Sequence, residues 1–204
     1  KNAAVGIVED GWKVLGTGYF NEDNIADVLI QNETTGEIEA LFMSYKDGKF
    51  AASQEALEMD MTGRTFAGIG DVNGDGIDDI IASKAHAEAF DKDNNKVADA
   101  FVEYAAFESQ YDGSFKQTSS LGGIGTDAAN WSVIGLSDMD GDNKDDVVWM
   151  NSASQEIGYW ASSAQKGANP WVSLAAGAAD WTFAGIGDFD SDSKSELLWT
   201  HEDG

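Results

Sequence analysis

The fold of this chain is decided by the stretch Thr65-Phe66-Ala67-Gly68-Ile69-Gly70-Asp71-Val72-Asn73-Gly74-Asp75-Gly76-Ile77-Asp78-Asp79. Residues 65–70 show strand-like alternation and β-favouring side chains, with glycines where backbones must approach closely, which predicts a short strand. The loop that follows is numbered here from position 1 to position 9. Its positions 1, 3, 5 and 9 hold Asp71, Asn73, Asp75 and Asp79.

This spacing of oxygen-bearing side chains is typical of a loop that binds a hard cation. Ca²⁺ takes about six to eight oxygen ligands, and alternate side chains of a tight loop can converge on one point. Gly74 and Gly76 permit the sharp backbone turn, and the carbonyl of Ile77 would supply a main-chain oxygen at position 7. The stretch therefore predicts a calcium loop directly after a strand.

Alignment on this stretch reveals four copies in the chain, and the other three begin at Trp12, Trp131 and Trp181. The string Thr-Phe-Ala-Gly-Ile-Gly-Asp occurs identically at Thr65–Asp71 and Thr182–Asp188, which chance does not produce alongside matched acidic spacing. A period of roughly 50 residues indicates a propeller or a solenoid. We number the copies as units 1 to 4, spanning about 11–60, 61–127, 128–177 and 178–204 of a single array covering 1–204.

Each complete unit is predicted to hold four short strands joined by turns that carry glycine or aspartate. In unit 1 the expected strands are Trp12–Thr17, Asp27–Gln31, Glu37–Met43 and Lys49 to about Leu57. In unit 3 they are Trp131–Leu136, Asp146–Asn151, Glu156–Ala161 and Trp171–Ala175.

Three segments depart from this plan. Unit 2 contains an insert between Ser83 and Glu103, and the Gly- and Ala-rich passage Leu121–Asn130 is expected to be a connector. Unit 4 stops after its second strand, and residues 1–10, with the apolar run Ala3–Val8, are expected to form the last strand of a preceding unit. The backbone N–H and C=O groups at an unpaired strand edge can pair with another strand or chain. We therefore expect the chain to associate with itself or to belong to a longer polypeptide.

The composition of the chain limits its partners. The formal net charge is −25, so nucleic acid and anionic membrane surfaces are repelled. Bound Ca²⁺ would neutralise part of this charge, and we expect the fold to depend on it. Loops of millimolar affinity are occupied outside the cell, which favours an extracellular location. No run of eighteen apolar residues is present, so no direct membrane insertion is expected.

The pattern Trp-x-φ-x-Gly-φ-Gly-Asp-φ-Asp-Gly-Asp-x-x-x-Asp-φ-φ-Trp, where φ is apolar, resembles the FG-GAP/VCBS repeat family, the integrin-α-like β-propeller blades. The resemblance covers nearly the whole chain. It implies an all-β propeller of four-stranded antiparallel blades, with Ca²⁺ between the first and second strands. About three and a half blades would be present. They would belong to a larger propeller, as the family's usual blade number favours, or would form a small four-bladed ring in which Ala3–Val8 complete the blade begun at Trp181.

The resemblance also implies a set of metal ligands in each loop. The complete sets are Asp71, Asn73, Asp75, Ile77 (carbonyl) and Asp79 in unit 2, and Asp138, Asp140, Asp142, Lys144 (carbonyl) and Asp146 in unit 3. Unit 4 offers Asp188, Asp190, Asp192, Lys194 (carbonyl) and Glu196, with Glu196 in place of the closing Asp. In unit 1 Tyr19 replaces the opening acid, so Asn21, Asp23 and Asp27 form a weak or empty site.

The insert of unit 2 repeats the same spacing at Asp91, Asp93, Asn95 and Asp99. Two interpretations stay open for it. The insert either holds a further metal ion or is an acidic hairpin tip shaped by Asx turns.

Function is indicated by the family resemblance more than by the residues. It implies a non-catalytic extracellular module for adhesion or for binding a glycan or protein ligand. The alternatives are a propeller within a carbohydrate-active enzyme such as a polysaccharide lyase, and a structural repeat of a surface protein, matrix protein or filament. Trp160 and Trp171 are not matched between units, which makes them candidates for glycan binding. No catalytic set is identified, because the chain has only two histidines and no cysteine.

Overall fold

The computed structural model describes residues 8–125, 127–162, 171–176 and 180–203. Within these residues the chain is all-β apart from one short 3₁₀ helix, Ala128–Asn130, and the strands form antiparallel sheets, as predicted. Units 1, 2 and 3 each contain one four-stranded sheet, and unit 4 contains a two-stranded sheet. None of the described sheets closes on itself.

Within each sheet the strands lie side by side in the order in which they occur along the chain. Unit 1 contains β1 (Trp12–Gly18), β2 (Asp27–Asn32), β3 (Ile38–Lys46) and β4 (Lys49–Ala56). Unit 2 contains β5 (Arg64–Gly70), β6 (Asp79–His86), β9 (Phe101–Ser109) and β10 (Phe115–Ile124), with the insert hairpin β7 (Ala89–Phe90) and β8 (Lys96–Ala98). Unit 3 contains β11 (Trp131–Ser137), β12 (Asp146–Asn151), β13 (Glu156–Trp160) and β14 (Trp171–Ala176), and unit 4 contains β15 (Trp181–Gly187) and β16 (Glu196–His201).

One predicted connector is in fact partly a strand. The prediction for Leu121–Asn130 is wrong over residues 121–124, because β10 continues to Ile124 along the long strand β9. Two register shifts bring Gly122 opposite Tyr104 and Gly123 opposite Glu103. The predicted strand Ala3–Val8 lies outside the described residues, except for Val8.

The first two strands of every unit share the same irregularity. Their pairing skips one residue just before a glycine, at Gly16, Gly68, Gly135 and Gly185. A bulge of this kind bends a strand and increases its twist. All four units therefore present their calcium-type loop with the same local geometry.

The hydrophobic core lies between successive sheets. Three clusters join unit 1 to unit 2, unit 2 to unit 3, and unit 3 to unit 4. Consecutive residues of a second strand contribute to different clusters, since Ile80 packs towards unit 1 and Ile81 packs towards unit 3. We call the side of a sheet that meets the preceding unit its leading face, and the side that meets the following unit its trailing face.

Close packing between first strands depends on glycine. A Cβ atom added at Gly68 of unit 2 would lie 2.3 Å from Cδ1 of Leu136 in unit 3. Gly16 faces Ile69 and Gly135 faces Ile186 in the same way. In each of units 2, 3 and 4, a bulky aliphatic residue therefore lies over the bulge glycine of the preceding unit.

Candidate metal centres

The position-1 carboxylate organises each predicted calcium loop of units 2 to 4. Asp71 accepts hydrogen bonds from the backbone N–H groups of Gly74 and Gly76 at 2.7 and 2.8 Å. Asp138 accepts from Gly141 and Asn143 at 2.7 and 2.8 Å, and Asp188 accepts from Ser191 and Ser193 at 2.6 and 3.1 Å. The loop backbone therefore wraps around this carboxylate, which lies on the inside of the turn.

The position-9 acid closes the loop and ties it to the sheet. Asp79 is fully buried, and it accepts hydrogen bonds from the backbone N–H of Val72 at 3.2 Å and of Ser109 at 2.9 Å. Burial raises the pKa of Asp79 to about 7 and that of the equivalent Asp146 to about 6. These carboxylates are costly to ionise without a neighbouring cation.

Two loops gather their carboxylates into groups that could hold a metal ion. In units 3 and 4, one ligand oxygen from each member lies within 4.8 Å of those of the others. The groups are Asp138, Asp140 and Asp146, and Asp188, Asp190, Asp192 and Glu196.

The unit 3 group passes a test of fit to a cation. Oδ1 of Asp140 is buried and has no hydrogen-bond partner. Burial raises the pKa of Asp140, and the nearby Asp142 and Asp138 raise it further, whereas a backbone hydrogen bond from Asp142 and the charge of Lys194 lower it. A buried carboxylate oxygen without a donor is costly, and a bound cation or a proton would lower that cost. An all-oxygen set of this kind suits Ca²⁺.

The unit 2 loop has the same backbone but fewer carboxylates. Asn73 supplies a carboxamide at position 3, and within the described residues the carboxylates of this loop form no group of three. Its side chains make the same Asx turns, since Asn73 accepts from the N–H of Asp75 at 2.8 Å and Asp75 accepts from that of Ile77 at 3.0 Å. The backbone N–H groups of Lys144 and Lys194, at position 7, donate in the same way to the position-5 carboxylates of Asp142 and Asp192.

In the unit 1 loop an amide group lies beside the closing acid. Nδ2 of Asn21 donates to the closing Asp27 at 3.4 Å, and Asp23 accepts from the N–H of Ile25 at 2.8 Å. Within the described residues this loop holds no group of three carboxylates. The weak or empty site expected for unit 1 stays a prediction.

The insert of unit 2 has the hydrogen bonds of an acidic hairpin tip. Asp91 accepts from the backbone N–H groups of Asp93 and Asn95 at 2.8 and 2.9 Å. The ammonium group of Lys96 contacts the carboxylates of Asp99, at 2.7 Å, and Glu88. Because Lys96 already forms an ion pair with Asp99, we do not propose a metal site in the insert.

Two residues that join neighbouring units were missed by the sequence analysis, the acids at position 8. The carboxylate of Asp145 in unit 3 accepts from the N–H of Asp71 in unit 2 at 3.0 Å, and its own N–H donates to the carbonyl of Asp71 at 2.7 Å. Asp78 makes the same two bonds to Tyr19, both at 2.8 Å. In unit 4 Ser195 keeps the backbone bond, to Asp138 at 2.8 Å.

We call this pair of bonds the position-8 clasp. It joins the opening residue of one predicted calcium loop to the loop of the next unit. The available signal was the doubled acid in Asp78-Asp79 and Asp145-Asp146, whose first member falls outside the alternating ligand pattern. Burial raises the pKa of Asp145 to about 6.

The two candidate glycan-binding tryptophans lie in the packing between sheets. Trp160 is half-buried, with its ring centroid 4.7 Å from that of Trp149. The ring of Trp171 lies 5.1 Å from that of Trp131, edge to face. Both side chains pack against the cluster between units 2 and 3, so they are less available as binding platforms than the sequence suggested.

Exposed aromatic rings occur instead in a cleft between the loops of units 1 and 2. The cleft has a volume of about 580 Å³. Tyr19 and Tyr111 line it and are 48% and 60% exposed. Asn21, Glu22 and Asn24 supply polar groups beside them.

Neither a scan of the chain against protein-family models nor a search of curated proteins finds a match. The resemblance to FG-GAP/VCBS repeats therefore rests on the repeated motif. No helix among the described residues is long and apolar enough to cross a membrane.

Proposed function

We propose that this chain is a Ca²⁺-stabilised β-propeller segment that acts outside the cell as a non-catalytic binding module. The observation that carries the proposal is the group Asp138, Asp140 and Asp146, in which a buried carboxylate oxygen lacks a donor. Unit 4 gathers four carboxylates at the equivalent positions. Repetition of one loop in successive sheets is expected of a calcium-dependent repeat protein.

The arrangement of the sheets supports the propeller. The first strands of successive units are neighbours, because β1 contacts β5, β5 contacts β11, and β11 contacts β15. Each sheet is an antiparallel meander that packs face to face on the next. Propellers are built from four-stranded sheets repeated around a central axis in this manner.

Counting bound ions tests the metal proposal. Native mass spectrometry of the whole chain in Ca²⁺ is expected to show fewer bound ions for Asp140→Asn than for the wild type. The matched control is Asp23→Asn in unit 1, which should retain the wild-type number. Equal losses from both variants, or no ion bound to the wild type, would contradict the assignment.

We propose that the ligand contacts the cleft lined by Tyr19 and Tyr111. Two exposed phenol rings beside carboxamide and carboxylate groups offer apolar faces and hydrogen-bond partners to a neutral, hydroxyl-rich ligand such as a glycan. Tyr19 also occupies the position that is acidic in the other three units. This substitution removes a predicted metal ligand and places an exposed aromatic ring there.

A glycan array probed with the whole chain in Ca²⁺ tests the cleft. Any glycan that binds is expected to lose at least tenfold in affinity with Tyr19→Ala combined with Tyr111→Ala. Tyr45→Ala is the control, since Tyr45 is 58% exposed on β3 and lies outside the cleft. Unchanged binding by the double variant would rule out this surface, and loss with Tyr45→Ala would locate the site elsewhere.

A further inference from the structure

The loop of unit 2 contains the only Asn-Gly pair in the sequence, Asn73-Gly74. Asn73 lies at position 3, where units 3 and 4 have Asp140 and Asp190. The equivalent pair in unit 3 is Asp140-Gly141, so the two loops differ at these positions only by an amide group in place of a carboxylate. Conversion of this amide to an acid would give unit 2 the same pair as unit 3.

The glycine after Asn73 is required by the packing between units. Gly74 has a φ of 81°, which lies in the left-handed region where glycine carries no steric cost. A Cβ atom added there would lie 3.1 Å from Cγ of Lys144 and 3.3 Å from the carbonyl oxygen of Asn143, both in unit 3. Gly74 is also exposed to solvent, and no side chain of its own shields its backbone nitrogen from Asn73.

One hydrogen bond of the loop places a proton acceptor beside that nitrogen. The backbone N–H of Gly74 donates to Oδ1 of Asp71 at 2.7 Å. A group that takes up a proton during a reaction must lie within hydrogen-bond reach of the donor, about 2.6–3.2 Å between heavy atoms. The carboxylate of Asp71 meets this condition for the backbone nitrogen of Gly74.

A second hydrogen bond polarises the carboxamide of Asn73. Its Oδ1 accepts from the backbone N–H of Asp75 at 2.8 Å. Negative charge develops on a carbonyl oxygen when a nucleophile attacks the carbonyl carbon, and a fixed N–H donor at about 2.7–3.1 Å stabilises that charge. The loop therefore surrounds one carboxamide with a nucleophile from Gly74, a proton acceptor from Asp71 and an oxyanion donor from Asp75.

We infer that Asn73 undergoes deamidation within the folded chain and that its own loop promotes the reaction. The backbone nitrogen of Gly74 gives up its proton to Asp71 and bonds to Cγ of Asn73. The bond from Cγ to the side-chain nitrogen breaks, and that nitrogen leaves with the proton as ammonia. Water then hydrolyses the succinimide, and cleavage at Cγ gives aspartate at position 73, whereas cleavage at the backbone carbonyl carbon gives isoaspartate. The net reaction consumes one water and releases one ammonia, without oxidation or reduction.

The two products change the predicted metal ligands of unit 2 in opposite ways. This consequence rests on the proposed Ca²⁺ function, whereas the deamidation itself does not. An aspartate at position 73 gives the loop carboxylates at positions 1, 3, 5 and 9, as in unit 3, and the affinity of a Ca²⁺ loop depends on its number of charged ligands. An isoaspartate adds a methylene group to the main chain, which displaces the N–H groups that surround Asp71 and weakens the site.

Peptide mapping by mass spectrometry tests the inference on the whole folded chain, incubated at neutral pH with chelator. Asn73 is expected to convert to the acid about tenfold faster than Asn21, or more. Asn21 is the internal control, because its Oδ1 accepts the same bond, from the N–H of Asp23 at 2.9 Å, but Glu22 follows it and Tyr19 replaces the acid at position 1. An isoaspartyl methyltransferase assay should detect isoaspartate in the product, which marks the succinimide route. Equal rates at the two asparagines, or no conversion, would overturn the inference.

Two further measurements test the role of the folded loop. The same chain unfolded in urea gives the rate that the sequence alone produces, and the folded chain should react at least as fast. A much slower reaction in the folded chain would show that the loop protects Asn73 and would refute the promotion. Asp71→Asn should lower the folded rate by about tenfold or more, whereas Asp93→Asn in the insert, which makes the same change in charge, should leave it unchanged.

The consequence for the metal is measured separately by Ca²⁺ titration in a calorimeter. Asn73→Asp should bind Ca²⁺ about tenfold more tightly than the wild type at one site, because it adds a charged ligand. Asn94→Asp in the insert adds the same charge and should keep the wild-type affinity. Equal affinities for Asn73→Asp and the wild type would refute the effect on the metal. A wild-type chain that binds no Ca²⁺ would refute the proposed function, while the mass measurement still decides the deamidation.

Discussion

At the scale of single residues, the position-8 acids show how the loops and the sheets depend on one another. Asp145 holds the backbone of Asp71, which is both a predicted metal ligand and the first residue of its loop. A metal ion bound in unit 2 would therefore also stabilise the contact with unit 3. Asp78 gives unit 1 the same contact although unit 1 lacks the opening acid.

Removal of the clasp should destabilise the fold in proportion to the bonds that are lost. Asp145→Ala removes a hydrogen bond to a half-buried carboxylate, and we expect the free energy of unfolding to fall by about 2 kcal/mol. Ser195→Ala should cost less, because the backbone bond remains in both variants and the side chain of Ser195 makes a hydrogen bond to a neutral partner, the hydroxyl group of Ser137 at 2.5 Å. Urea denaturation in Ca²⁺ measures both. Asp93→Ala in the exposed insert corrects for the change in net charge, and equal costs for all three variants would refute the role of the clasp.

Because the closing acids are buried, we expect the stability of the metal-free protein and the stabilisation by Ca²⁺ to change with pH in opposite directions. The pKa of Asp79 is raised from 3.8 to about 7 by burial, so the metal-free folded state binds protons more tightly than the unfolded chain. Stability of the metal-free protein should therefore fall as the pH rises from about 4 to 7. Because the ligands must be deprotonated, the stabilisation by Ca²⁺ should grow over the same range.

Thermal melts of Ca²⁺-stripped and Ca²⁺-saturated protein at pH 5 and pH 8 measure both trends. High salt in all samples suppresses the general repulsion of a chain with net charge −25. A metal-free protein that becomes more stable towards pH 8 would contradict the prediction.

At the scale of elements, the bulged first strand sets the spacing between sheets. The same skipped residue before a glycine recurs in all four units, and at three of them the glycine accommodates a side chain from the next unit. The loops are brought together by the same approach. The side chain of Lys144, for example, lies beside the Cβ position of Gly74, whose loop belongs to the preceding unit.

A matched pair of glycine substitutions tests this packing. Gly68→Ala places a Cβ atom 2.3 Å from Leu136, and we expect a loss of about 1–3 kcal/mol in the free energy of unfolding. Gly185→Ala occupies the equivalent position with open space around it and should be neutral or slightly stabilising. Chemical denaturation compares the two, and a similar cost at both sites would show that local strand geometry, not packing between units, requires the glycine.

At the scale of the whole molecule, hydrophobic packing between the sheets stabilises the fold, and electrostatic repulsion between the acidic loops opposes it. The hydrophobic clusters lie between sheets, so each unit depends on its neighbours. The acidic loops meet along the same junctions, where their mutual repulsion opposes the packing. Bound cations would relieve this repulsion at every junction that has a complete loop.

Ca²⁺ is therefore expected to stabilise the chain strongly. A ligand that binds only the folded state adds about 2.7 kcal/mol per site at a hundredfold excess over Kd. Thermal melts with excess Ca²⁺ and with chelator at pH 8 should differ clearly, while Mg²⁺ at the same ionic strength controls for screening. Coincident melting curves with and without Ca²⁺ would refute the dependence.

The amino-acid sequence by itself determined the all-β class, most strand positions and the four loops. These features depend on local spacing. The stretch from Asp71 to Asp79 is an example, since the alternation of predicted metal ligands and glycines is complete inside one loop. The family resemblance and the calcium ligands are inferences from the same local pattern.

Only the tertiary structure decided how the units contact one another. The clasp joins residues 59 and 74 positions apart, Tyr19 with Asp78 and Asp71 with Asp145, and no local pattern specifies such pairs. The partial burial of Trp160 and the exposure of Leu198 likewise depend on which sheet face meets a neighbour. The repeat gives equivalent residues the same local conformation, but packing against the next unit determines whether each is buried in the core or exposed at the surface.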